Sequence, residues 1–160
     1  MIITLKIILI LSFMIIAYQD IKERSVYWFL FPIVACTAGY LYYTNTFFEL
    51  FWKTSIVNLG IIMLVFLALQ TYTKFKLRTG LKEVFGLGDA LLFIGLCVAF
   101  PIASFIIFFV FSLLFSLIIH FVLKNKMKMK SVPLAGYMSV FFIGVYSMNW
   151  TGFLPNLYNI

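Results

Sequence analysis

The sequence predicts an all-α, polytopic membrane helix bundle, and three observations carry that expectation. First, 64% of the residues are hydrophobic and only 11% are charged, with a mean hydropathy of +1.11. A soluble domain of 160 residues has no interior large enough to hide so much apolar surface, so lipid is the expected solvent. Second, the apolar residues fall into long runs separated by short loops. Third, the lysines and arginines collect in alternate loops. The expected architecture is about six transmembrane helices in a single integral-membrane domain over residues 1–160.

A crossing helix needs about 20 apolar residues, within a range of about 17–25. The qualifying runs are 2–19, 27–44, 54–73, 84–100, 102–123 and 132–150. The first opens like a secretory signal, with Lys6 ahead of a hydrophobic stretch. No small-residue cleavage site follows, and Tyr18-Gln19-Asp20 comes next, so it is expected to be retained. Residues 84–123 carry Asp89 as their only formal charge and are too long for one crossing. Pro101 divides them, because proline cannot continue a helix ladder. Cys36 and Cys97 lie in separate apolar runs without CxxC or metal-ligand spacing. Both are expected to be small buried hydrophobes, and neither a metal nor a cofactor is expected.

The formal charge of +7 resides in short loops. Lys22 and Arg24 follow the first run; Lys74, Lys76, Arg78 and Lys82 follow the third; Lys124, Lys126, Lys128 and Lys130 follow the fifth. The opposite side has only Lys6 and Lys53. The positive-inside rule therefore predicts cytoplasmic basic loops and two extracytoplasmic termini. Basic residues so placed set orientation and touch anionic lipid headgroups, and no nucleic-acid partner is expected.

The chain has two aspartates, Asp20 at the end of the first run and Asp89 near the start of the fourth. This topology puts both on the cytoplasmic face at one depth. Carboxylates at such positions are costly and mark chemistry or transport. Two carboxylates a few ångströms apart do not both ionise easily, so one keeps its proton while its partner stays charged. Such a pair can activate water and polarise a carbonyl without a metal. Gly86 and Gly88, just before Asp89, allow close approach of a partner helix or an extended peptide.

These residues resemble the type IV prepilin peptidases, a family of GxGD membrane aspartic proteases. Asp20-Ile21-Lys22-Glu23-Arg24-Ser25-Val26 is similar to the family's D-x-K-x-R-x-[IV] segment, and Gly86-Leu87-Gly88-Asp89 matches its GxGD. Lys130-Ser131-Val132-Pro133-Leu134-Ala135-Gly136-Tyr137 resembles the P-[FL]-[GA]-x segment opening the last helix. The chain departs from the family at Tyr27-Trp28, often Pro-Asn, and at Ala90, often lysine. The resemblance implies a short, peptidase-only form without the N-terminal methylation-associated domain. It further implies a membrane aspartic endopeptidase that cuts the basic leader from prepilins or pseudopilins, with Asp20 and Asp89 catalytic.

Lys22 and Arg24 are expected to anchor the loop at the headgroups, with one of them able to steady Asp20 by its charge. Glu23 and Glu83 are expected to pair locally, or to offer a counter-charge to the basic leader that the resemblance implies. His120 is expected to be interfacial or packed. The competing reading is a non-catalytic membrane subunit or a small proton or cation transporter that uses the same two aspartates. A transporter is expected to show helices broken near the midplane and repeated halves, and the sequence has no internal repeat.

Overall fold

The computed structural model describes residues 1–77, 86–123, 132–153 and 157–158. Within them the fold is all-helical: α1 (Ile2–Glu23), α2 (Leu30–Tyr43), α3 (Phe48–Tyr72), α4 (Leu87–Leu96), α5 (Ile102–Leu123) and α6 (Leu134–Trp150). A π-helical turn, Thr73–Leu77, extends α3. Three helical stretches are long and apolar enough to cross a membrane: Ile2–Glu23, Phe48–Phe75 and Ile102–Leu123. Helices α2 and α4 are apolar but shorter, at 14 and 10 residues.

Local chemistry sets the boundaries. Helix α1 runs past the expected end of its apolar run and takes Asp20 into its last turns. It stops at Arg24, whose left-handed backbone (φ 56°) donates its N–H to the Asp20 carbonyl. A positive φ at a residue other than glycine is uncommon and reverses the chain tightly here. Pro32 sits in the first turn of α2, where no intrahelical donor is needed. Pro101 lies between α4 and α5 as expected, and its carbonyl accepts from Phe105 N–H at 2.8 Å. Helix α3 starts at Phe48, earlier than its expected start at 54, and Glu49 and Lys53 pair across its first turns at 3.6 Å.

Helix α1 packs along α6 and against α2, with α5 against the other side of α6 and α4 against α2. The centre is aromatic. Phe13 of α1 stacks on Phe142 and Tyr146 of α6, with centroids 5.9 and 6.2 Å apart. Phe100, in the turn after α4, stacks on the same two rings. Buried Ser104, Ser112 and Ser116 give α5 a narrow polar stripe: the last two bond back to their own helix, and Ser104 donates to the Leu157 carbonyl. Among helices surrounded by lipid, small residues and such internal bonds replace the hydrophobic drive of soluble packing. Cys97 is buried as expected. Cys36 is not: it faces outward from α2, because the buried positions of that helix run through Val34, Thr37, Ala38 and Leu41.

Asn58 of α3 is fully buried, and its side-chain amide donates to the carbonyls of Cys97 and Phe100 at 3.0 and 2.9 Å. Those carbonyls belong to the C-cap of the short α4 and to the turn that follows it, so α3 supplies from outside the donors that the ended helix does not.

Candidate active site

The sequence distance between Asp20 and Asp89 vanishes at the first turn of α6. Pro133 is the N-cap of that helix, and its side chain caps nothing. The next amides need acceptors, as the first turn of any helix does. Ala135 N–H donates to Asp89 Oδ1 at 2.7 Å, and Gly136 N–H donates to Asp20 Oδ2 at 2.6 Å. Two carboxylates from two other helices thus cap one helix, at adjacent residues whose Cα atoms lie ~3.8 Å apart. Negative charge at a helix N-terminus is favoured both by the exposed amides and by the helix dipole. The two carboxylates are near enough for each charge to be felt by the other.

The glycines sit where side chains would intrude. A Cβ at Gly136 would stand 3.1 Å from Asp20 Cβ, Asp20 Oδ2 and Ile21 Cγ1. These side-chain atoms of α1 would have to shift by a few tenths of an ångström to admit it. A Cβ at Gly86 would lie 3.0 Å from Asp89 Oδ2, and the Gly86 backbone N–H also donates to the Asp89 carboxylate. A Cβ at Gly88 would meet the Phe31 ring of α2 at 3.4 Å, an ordinary contact distance.

A cavity of about 260 Å³ opens beside the pair, lined by Asp20, Arg24, Ser25, Val26, Gly86, Leu87, Gly88 and Asp89. Both aspartates are half-buried. Among the described residues, Arg24 is the cation lining this cavity, and its charge acts on Asp20, Asp89 and Tyr137. Lys22 points elsewhere, with its ammonium donating to the Tyr18 hydroxyl at 2.5 Å. Glu23 is exposed and outside the cavity. Pro133 is buried and shapes the α6 start without lining the cavity. Glu83 and the expected Lys124–Lys130 basic run lie outside the described residues. Among the described residues, no three His, Cys, Asp or Glu side chains gather as a metal-binding group. His120 is half-buried on α5, and its Nδ1 has no hydrogen-bond partner among the described residues.

The sequence reading did not single out Tyr137, although it lies in the quoted third segment. It is buried, and both Asp20 and Arg24 act on its hydroxyl. The backbone amides of Ala135 and Gly136 were missed as well. The available signal was a proline-capped helix start with glycine in its first turn, which exposes bare amides and leaves room beside them.

Among the described residues the molecule is helical and apolar, has three helices long and apolar enough to cross a membrane, and holds a carboxylate pair at one end of the bundle. The chain belongs to the type IV leader peptidase family, whose model matches residues 7–122. The match includes both aspartates and stops before α6, the helix that donates to them. No match was found among curated proteins or among solved structures.

Proposed function

We propose that this chain is a membrane aspartic endopeptidase that removes the short basic leader from type IV prepilin-like proteins, prepilins or pseudopilins, at the cytoplasmic face of the inner membrane. One observation supports the reading: Asp20 and Asp89 are tethered to neighbouring amides beside a cavity of about 260 Å³. In this reading the chain crosses the membrane six times, and the basic loops hold the carboxylate end on the cytoplasmic side.

The reaction needs only the pair and water. The ionised carboxylate takes a proton from water, and the hydroxide so formed attacks the scissile carbonyl carbon. The protonated partner donates to the carbonyl oxygen and stabilises the tetrahedral intermediate. Collapse breaks the C–N bond, and the departing amine takes the proton held by the first carboxylate. Like charges in close proximity keep one proton shared between the two groups. The Ala135 and Gly136 amides fix the orientation of both carboxyl groups, while Gly86 and Gly88 keep one wall of the cavity low for the substrate strand.

Co-expression with a candidate prepilin, followed by mass spectrometry of the pilin N-terminus, tests this proposal. Asp20→Asn and Asp89→Asn each retain an oxygen acceptor for α6 and are expected to fold yet leave the leader in place. Cleavage at the wild-type rate by either variant would overturn the assignment. A scaffold or transporter would keep supporting its process with the leader uncut.

Glu23 and Glu83 supply the only other acidic charge expected near the site and would attract the basic leader. Reversing both to lysine is expected to raise KM for leader cleavage more than it lowers kcat. Unchanged kinetics in that double variant would remove them from substrate recognition.

A further inference from the structure

At the end of the bundle away from the carboxylates, two cavities meet at one lysine. The first, about 200 Å³, is mixed: Lys6, Thr44, Asn45, Asn149, Trp150 and Tyr158 line it together with the apolar Ile2 and Leu41. The second, about 370 Å³, is a groove along α1 made by Ile3, Ile7, Ile10, Leu11 and Met14, with Lys6 and Trp150 at its mouth. The Lys6 ammonium lies 4.9 Å from the centroid of the Trp150 ring. Lys6 and Trp150 are therefore common to a mixed chamber and an apolar channel. We propose that this composite site binds one anionic phospholipid, with its phosphate at Lys6 in the mixed chamber and one acyl chain in the groove.

Charge and dimensions both point to that ligand. Lys6 lies near the N-terminus of α1, where the helix dipole is already positive and an anion is favoured. Among the described residues the only ion pair is Lys53–Glu49, so no carboxylate there neutralises Lys6. Trp150 is the residue type that settles at headgroup depth. From Ile3 to Met14 the groove follows α1 for about 16 Å at ~1.5 Å per residue. That is about half of the ~30 Å hydrocarbon core, the depth one acyl chain fills. Its α1 residues form one stripe at helical spacing, with only Trp150 contributed by another element. Free phosphate would satisfy the lysine and leave the groove unfilled.

This site is separate from the carboxylate pair: Lys6 and Asp20 are about 21 Å apart along α1. Native mass spectrometry of the full chain in neutral detergent tests it, with phosphatidylglycerol and phosphatidylcholine titrated in parallel. A one-to-one phosphatidylglycerol adduct is expected to outcompete phosphatidylcholine. Lys6→Gln is expected to weaken it about fivefold, the contribution of one basic residue near a membrane surface, and to leave phosphatidylcholine unaffected. Lys6→Arg should restore the preference, and Lys53→Gln should not disturb it. Equal phosphatidylglycerol binding by wild type and Lys6→Gln overturns the proposal. So does displacement of the lipid by excess inorganic phosphate or by a single apolar helical peptide.

Discussion

At the residue scale, the site is a question of where side chains are absent. Gly136 and Gly86 leave room for the two carboxylates, whereas a Cβ at Gly60 or Gly144 would meet nothing within 4 Å. Gly136→Ala and Gly86→Ala are expected to slow leader cleavage by about 10–100-fold, because small misplacements of reacting groups are costly. Gly60→Ala and Gly144→Ala, in helix interiors, are expected to keep activity and to gain roughly 0.5–1 kcal/mol of stability. Cleavage kinetics and thermal unfolding of the four variants separate the two classes; equal activity in all four would refute the packing argument. Both aspartates were legible in the sequence, since they are the only two and share one end of the expected topology. Their tether was not legible, because a backbone amide has no letter of its own. The choice of Arg24 over Lys22 was also hidden: it depends on the left-handed turn at Arg24 and on the bond from Lys22 to Tyr18.

At the scale of elements, short helices survive because neighbours complete them. Helix α6 receives its N-terminal acceptors from α1 and α4, and α4 receives its C-terminal donor from α3. Asn58→Leu is expected to destabilise the bundle by about 1–3 kcal/mol, because it leaves two buried carbonyls without a donor. The midpoint of thermal unfolding in detergent reads this directly, and a variant as stable as wild type would show that other groups satisfy those carbonyls. Sequence patterning found the long apolar runs and the break at Pro101. It placed the ends of α1 and α3 too far inward, since hydropathy does not register a polar last turn or a charged pair one turn apart. Asn58 was invisible to it, because one amide inside an apolar run carries no periodic signal.

At the scale of the whole molecule, the end of α1 and the starts of α4 and α6 meet at one pole of the described bundle. Orientation is testable with single cysteines in a Cys36→Ser, Cys97→Ser background. An impermeant thiol reagent is expected to reach Lys22→Cys only from the cytoplasmic side and Phe47→Cys only from outside. The reverse pattern would invert the proposed topology and remove the carboxylates from the cytoplasm. The tether between α6 and its two distant partners also orders events in time. Gly136 and Asp20 stand 116 positions apart, and the ribosome makes the amide long after the carboxylate. The two carboxylates therefore gain these amide partners only once the start of α6 has been made.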